Sequence, residues 1–309
     1  MKAIIASEPK NLVQIEVDEI GSLEPGQVCV RIELASICGT DKPGFLSGTD
    51  PKGHKQPGFP SHECLGIVIS APGEDSLVGK RVISIPNDDA GLKEIFIASR
   101  EKTHLINTDL PSEVVILAQP LATILAALDR LTDLKGKTVA IVGLGPIGLM
   151  FGFVLESLGV SKIVGFDLRD RTGAPLLDVF NEIHTSYDKH ATFDVVIEAV
   201  GHDQEVVNQA IELTKDFGTI LIFGVPDDEV YQFNFSRFFR KRLSLIANVS
   251  PNWPEYFPKA EKFLENNPQL SKIVTHRFDV DSIQQAYETA FTNQVSNSGK
   301  MSISMESWQ

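Results

Sequence analysis

The chain has 309 residues, with 28 Lys+Arg against 41 Asp+Glu, a formal net charge of −13 and a pI near 5.0. A surface that acidic repels nucleic-acid phosphates and anionic bilayers, which argues against a nucleic-acid or membrane partner and for a small neutral substrate. With 42% hydrophobic and 22% charged residues the composition is that of a folded globular protein, and the length predicts two domains.

The start, Met1-Lys2-Ala3-Ile4-Ile5-Ala6-Ser7-Glu8, is strand-like and lacks the long apolar stretch of a signal peptide; no run reaches bilayer-spanning length. Three cysteines, at 29, 38 and 64, are too few for a disulfide framework and read as cytosolic thiols or metal ligands, so a cytoplasmic location is expected. The first third reads as all-β. In Val28 to Leu34 the apolar residues alternate after a Pro25-Gly26 turn signal, and further short strands are predicted over Gly66–Ser70, Arg81–Ile85 and Glu94–Ala98. Many short strands separated by Gly, Pro and Asp clusters predict a compact barrel.

Two segments in this region carry metal chemistry, Cys38-Gly39-Thr40-Asp41 and His62-Glu63. A thiolate, an imidazole and a carboxylate give Zn²⁺ a nearly neutral set of ligands and leave one position open for water or a substrate oxygen. Adjacent ligands point differently along an extended chain, so His62 and Glu63 both ligate only if the backbone bends or one moves in and out. Asp41 is a candidate to orient the imidazole. Singly, Cys38 reads as a buried thiol and His62 as a hydrogen-bonded histidine; the set is what carries weight.

From about residue 121 the pattern changes to apolar strands, most of them followed by helices: Val139–Gly143, Lys162–Asp167, Asp194–Val200, Thr219–Val225 and Ser244–Val249. Such runs predict a parallel sheet covered on both faces. The first strand ends in Gly143-Leu144-Gly145-Pro146-Ile147-Gly148 and is followed by apolar residues at helical spacing, Met150, Phe151, Val154, Leu155 and Leu158, up to Gly159. Glycine at 143 and 145 allows a tight turn against a pyrophosphate, and glycine at 148 allows close helix packing. Asp167 follows Gly148 by nineteen residues, where a carboxylate would bind the adenosine ribose and repel a 2′-phosphate, which favours NAD over NADP. Arg169 and Arg171 are nearby cations able to pair with a phosphate. The boundaries read as 1–120, 121–266 and 267–309, the last segment holding a helix around Ser282–Phe291 and an alternating strand Lys300–Met305. His54, His104, His184, His190, His202 and His276 have no ligand spacing, and Arg237, Arg240, Lys241 and Arg242 read as a solvated or interface patch.

Over essentially its whole length the chain resembles the zinc-dependent medium-chain dehydrogenases, the alcohol, polyol and sugar dehydrogenase superfamily. The matching stretches are Cys38–Asp41, His62-Glu63-Cys64-Leu65-Gly66-Ile67-Val68, Gln119-Pro120-Leu121-Ala122, the glycine turn and Gly299-Lys300-Met301; Cys38–Asp41 with Leu117–Ala122 is most similar to the glucose dehydrogenase branch. The resemblance implies a GroES-like β-barrel catalytic domain joined to a Rossmann doubly wound sheet. It further implies Gln119 where relatives carry a Glu or Cys near the zinc, and Thr40 as the hydroxyl on the substrate oxygen. Thr123 falls near the nicotinamide, Gly201 and Val225 in the cofactor cleft, and Glu94 where sugar-oxidising relatives bind substrate hydroxyls, although a solvated strand glutamate is an equal reading there. A homodimer or homotetramer joined through Ser244–Val249 is implied as well, with the active site in a cleft between the domains.

Three departures stand out. Asn87-Asp88-Asp89-Ala90-Gly91 replaces the cysteine-rich lobe that binds a structural zinc in relatives, so one zinc per chain is expected. Pro43 stands near where many relatives have a relay histidine, and Asn248-Val249-Ser250-Pro251-Asn252-Trp253 does not repeat the pattern associated with glucose. The expected function is zinc-dependent hydride transfer between a secondary alcohol of a sugar, polyol or cyclitol and NAD. The rivals are a zinc-free NADPH reductase of the quinone reductase type and a non-catalytic dinucleotide sensor.

Overall fold

Residues 1–187, 191–292 and 297–308 are described in a computed structural model of the chain. Its strands are β1 (Lys2–Glu8), β2 (Asn11–Glu16), β3 (Gln27–Ser36), β4 (Glu63–Ser70), β5 (Arg81–Pro86), β6 (Ile95–Leu105), β7 (Thr138–Val142), β8 (Lys162–Phe166), β9 (Glu182–His184), β10 (Phe193–Glu198), β11 (Thr214–Ile222), β12 (Ser244–Ala247), β13 (Val274–Asp279) and β14 (Lys300–Ser304). The helices are α1 (Lys42–Ser47), α2 (Ser112–Val115), α3 (Ala118–Leu128), α4 (Pro146–Ser157), α5 (Glu205–Leu213), α6 (Phe235–Lys241), α7 (Trp253–Asn266) and α8 (Ile283–Phe291).

The chain divides into two units. The first comprises Met1–Ala122, Asn252–Val295 and Lys300–Gln309, the second Thr123–Pro251 and Ser296–Gly299, and the division falls inside α3. In the first unit β1 and β2 form an antiparallel pair, and a six-stranded sheet runs β13-β14-β3-β4-β5-β6. Because β3 also pairs with β6, the four strands β3 to β6 close on themselves into a small barrel. Val30, Ile32, Val68, Val82 and Phe96, each at most 2% exposed, fill it together with Tyr287, Met301 and Ile303. A fully buried side chain of that size contributes about 1.5–3 kcal/mol, so this packing fixes the register that carries Glu63 opposite Ser36.

The second unit is a six-stranded parallel sheet ordered β12-β11-β10-β7-β8-β9. Counting only its own strands, that is third, second, first, fourth, fifth, sixth from the β9 edge, the doubly wound order in which two mononucleotide halves meet at the switch between first and fourth. Ala140, Val142, Val164, Val196 and Ile220 pack against Val207, Ala210 and Ile211 of α5. Between β8 and β9 the connection holds only a 3-10 turn, Leu177–Val179, where a helix would ordinarily lie. Asp170 takes up the N–H and hydroxyl of Thr172, and Gly173 and Pro175 follow, chemistry that favours turns over helix.

One boundary differs from the sequence expectation. The second unit was expected to reach residue 266, but α7 groups with the first unit, whose last segment starts at Asn252 rather than 267. Glu261 explains this. Its carboxylate accepts from the Asn107 N–H at 2.7 Å and pairs with His104 Nε2 at 2.9 Å, while Phe257 stacks on the His104 ring. These contacts are long-range and leave no periodic trace in the sequence.

Three residues of the basic cluster have defined partners. Lys241, 5% exposed, donates to the carbonyls of Ile211, Glu212 and Thr214 and so closes the C-terminal end of α5. Arg237 forks onto Glu212, and Arg242 lies 3.8 Å over the Phe217 ring. Among the described residues no helix is long and apolar enough to cross a membrane.

Candidate metal and dinucleotide sites

Cys38 ends the loop after β3, and His62 immediately precedes β4. Since β3 and β4 are paired neighbours, residues far apart in sequence meet: the ligand atoms of Cys38, His62 and Glu63 all lie within 4.8 Å of one another. Asp41, 1% exposed, faces His62 Nδ1 at 3.2 Å, and its second oxygen accepts from the Cys38 N–H at 2.9 Å. A carboxylate on Nδ1 fixes the ring and leaves Nε2 as the ligand nitrogen. Thr40 is exposed and donates its hydroxyl to Cys38 Sγ at 3.2 Å.

Burial opposes charge on His62, yet Cys38 and Asp41 outweigh it and raise the imidazole pKa well above 6.5. Burial likewise raises Asp41, against the pull of His62. The sulfur and the carboxylate beside the ring favour its cationic form. A divalent metal bonded to Cys38 and His62 would supply that charge in place of the proton, and the soft-plus-borderline donor set fits zinc.

Glu63 is completely buried, and both its oxygens have partners. Ser36 Oγ donates to one, and Lys300 Nζ lies 2.5 Å from the other while also donating to the Ile37 carbonyl at 3.0 Å. Burial would strip the Lys300 proton, but Glu63, with Cys38 and Asp41, outweighs it and raises the pKa. Glu63 is therefore held in a buried ion pair in which the Lys300 ammonium offsets its charge, and each of its oxygens keeps a second lone pair beyond the bond it already accepts. Lys300 and Ser36 were not singled out as site residues in sequence, although Lys300 lies in the closing Gly299-Lys300-Met301 stretch. Gln119 is buried at 6% exposure near the start of α3. Glu94 is not part of this cluster: its carboxylate accepts the Lys2 N–H at 2.9 Å and ties the N-terminal strand down. Pro43 lies in the first turn of α1.

In the second unit Gly143 has φ +94, Gly145 precedes α4, and Pro146 begins it, with Ile147 in its first turn. A Cβ at Gly148 would meet the Gly143 carbonyl at 1.8 Å, so only glycine lets the helix start so close beneath the turn. Asp167 is bound to that turn: one oxygen accepts from Leu144 N–H at 2.9 Å, the other from Arg169 N–H at 2.9 Å. The Arg169 side chain is exposed, whereas Arg171 is buried at 6% and donates to the Ser298 carbonyl at 2.6 Å, so Arg171 is committed to holding the chain. Thr123 lies half-buried in α3. Gly201 and Val225 follow β10 and β11 and are brought together, with His202 N–H donating to the Val225 carbonyl at 3.1 Å. His202 also pairs with Asp227 at 2.6 Å; His190 lies outside the described residues.

One residue beneath these loops was missed by sequence reasoning. Glu198 ends β10 at 2% exposure and accepts hydrogen bonds from Val200, Gly201 and Gly224 N–H groups. A carboxylate closing the apolar run Val195-Val196-Ile197 was the available signal.

Comparison with known proteins agrees with this architecture. Residues 24–99 match the alcohol dehydrogenase GroES-like domain, and residues 113–295 match the family described as glucose dehydrogenase C-terminus. The chain belongs to the zinc-type medium-chain dehydrogenases and is an NAD(P)-dependent oxidoreductase. Among its relatives are D-arabinitol dehydrogenase 1 of Uromyces fabae, 22% identical over 95% of each chain, and L-arabinitol 4-dehydrogenase of Talaromyces emersonii, 27% identical over 89% of this chain and 84% of that one. L-threonine 3-dehydrogenase of Deinococcus radiodurans is 22% identical over 99% and 98%. A crystal structure described as a short chain alcohol dehydrogenase from E. coli CFT073, complexed with NADH, superposes with TM-score 0.84 at 20% identity over 99% of each chain.

Proposed function

We propose that this protein oxidises a secondary alcohol of a sugar, polyol or cyclitol, or reduces the matching ketone, with one zinc per chain and NAD as cofactor. The observation that carries the reading is the convergence of Cys38, His62 and Glu63 within 4.8 Å, with Asp41 on the imidazole. Cys38 and His62 would hold the metal, with Gln119 and Glu63 completing the ligand set. When bound, zinc supplies Lewis acidity to the alcohol oxygen, and nicotinamide supplies the hydride acceptor.

The chain's own residues supply orientation and proton movement. Asp41 fixes the ring and tautomer of His62. Thr40, whose exposed hydroxyl already reaches Cys38 Sγ, takes the alcohol proton and passes it outward; Pro43 has no group to relay it further. Gly143, Gly145, Pro146, Ile147 and Gly148 receive the pyrophosphate at the start of α4, and Asp167 holds the adenosine ribose. The Asp167 charge disfavours a 2′-phosphate, and the commitment of Arg171 to Ser298 removes one cation that could offset it. A dimer joined edge to edge through β12 is part of the reading, supported by that strand's place at the end of the sheet and by exposed Leu245, Phe235 and Phe239 beside it in sequence.

The test is metal analysis of the purified protein together with cofactor reduction across sugars, polyols, cyclitols and L-threonine. Stoichiometric zinc and NAD-linked turnover of a polyol or sugar are expected. Replacing Cys38→Ser should remove metal and turnover while leaving NADH affinity within about twofold. Turnover that survives in metal-free protein would overturn the mechanism.

A further inference from the structure

Glu198 is a buried carboxylate for which zinc chemistry has no use. Its described partners are all backbone N–H groups. Oε1 accepts from Val200 at 2.7 Å and Gly201 at 2.8 Å, Oε2 from Gly224 at 3.2 Å, and its own carbonyl accepts from Phe223 at 2.9 Å. One side chain thus binds the turn after β10 to the turn after β11. The packing there has no slack: a Cβ at Gly224 would lie 2.0 Å from Gly201 N, and one at Gly201 would lie 2.5 Å from the Val225 carbonyl. The same turn abuts the pyrophosphate loop, since a Cβ at Gly143 would meet Val200 at 2.7 Å.

In a doubly wound sheet each half takes one mononucleotide, and ligands lie beyond the carboxyl ends of the strands. The glycine turn after β7 and Asp167 after β8 account for the pyrophosphate and the adenosine ribose. The turns after β10 and β11 therefore fall to the other mononucleotide. We propose that Glu198 is a positioning residue for the nicotinamide half of the cofactor: it holds the Val200–Gly201 and Gly224–Val225 turns as one rigid surface. The inference rests on the dinucleotide reading. It separates this carboxylate from Asp167, which serves the adenosine half, and charge-assisted bonds to N–H groups are strong enough to make the difference large.

The probes are NADH and ADP-ribose, which lacks the nicotinamide, titrated against the full-length zinc-loaded protein by fluorescence and calorimetry. In Glu198→Gln one oxygen still accepts from Val200 and Gly201, but an NH₂ faces the Gly224 N–H. NADH should bind at least about tenfold more weakly, while ADP-ribose stays within about twofold of wild type and zinc content is unchanged. Glu198→Asp keeps the charge but shortens its reach, and should show the same selectivity by a smaller factor if the Gln variant does not fold. Equal weakening of both probes, the mark of a merely structural role, or unchanged NADH binding overturns the inference. Wild-type protein that binds neither probe overturns the dinucleotide reading and the inference with it.

Discussion

Glu63 and Lys300 show how one buried pair shapes the metal centre. Each is at most 2% exposed, so removing either partner leaves an uncompensated charge in the barrel wall. Lys300→Met should destabilise the protein by about 3–5 kcal/mol in urea denaturation, and adding Glu63→Gln should recover part of that loss. A Lys300→Met variant as stable as wild type would show that the pair is not buried in solution. Cys38, Thr40, Asp41, His62 and Glu63 were legible in the sequence because two short segments hold them in chemically specific combinations. The partners of Glu63 were not, because Ser36 is an ordinary strand residue and Lys300 lies 237 positions away.

At the scale of elements, the strand-turn-helix from β7 to α4 could be read directly. Its glycines answer steric demands local to a few residues. Gly148→Ala should weaken NADH binding by more than about tenfold, measured by fluorescence titration, because the added methyl collides with the Gly143 carbonyl. Wild-type affinity in that variant would mean the turn does not carry the pyrophosphate.

The neighbouring strands are tied by Asp194, which accepts from Thr138 N–H at 2.9 Å and Thr138 Oγ1 at 2.8 Å and pairs with Lys215. Burial resists its ionisation, but these donors prevail and hold the carboxyl at about 2 rather than 3.8. A depressed carboxyl stabilises the fold above its unfolded pKa and loses that contribution as pH falls through the folded one. Asp194→Asn should therefore cost about 1 kcal/mol at neutral pH, with the gap to wild type narrowing from about pH 5 toward about pH 2 in denaturant titrations. A gap independent of pH would contradict the ionised bond. The helix α7, by contrast, was assigned to the wrong unit in sequence, since what places it is Glu261 meeting Asn107 and His104 across some 150 residues.

For the whole molecule, the barrel core and the parallel-sheet core share no residues, so the two ligands should protect different peptides. In hydrogen-exchange mass spectrometry, added zinc should slow exchange in the segments around Cys38 and His62, and NADH in those around Gly143, Gly201 and Gly224. Dinucleotide protection confined to the barrel would refute the division of labour. Both folds, the order of the domains and the cofactor class were determined by the sequence alone, because alternation, apolar runs and glycine spacing are local consequences of strand, helix and turn geometry. Tertiary structure alone decided which polar groups meet inside the fold: Lys300 with Glu63, Glu198 with two glycine turns, Glu261 with His104. Burial is set by what packs on top, and a carboxylate or ammonium reads identically in sequence whether it faces water or carries the site.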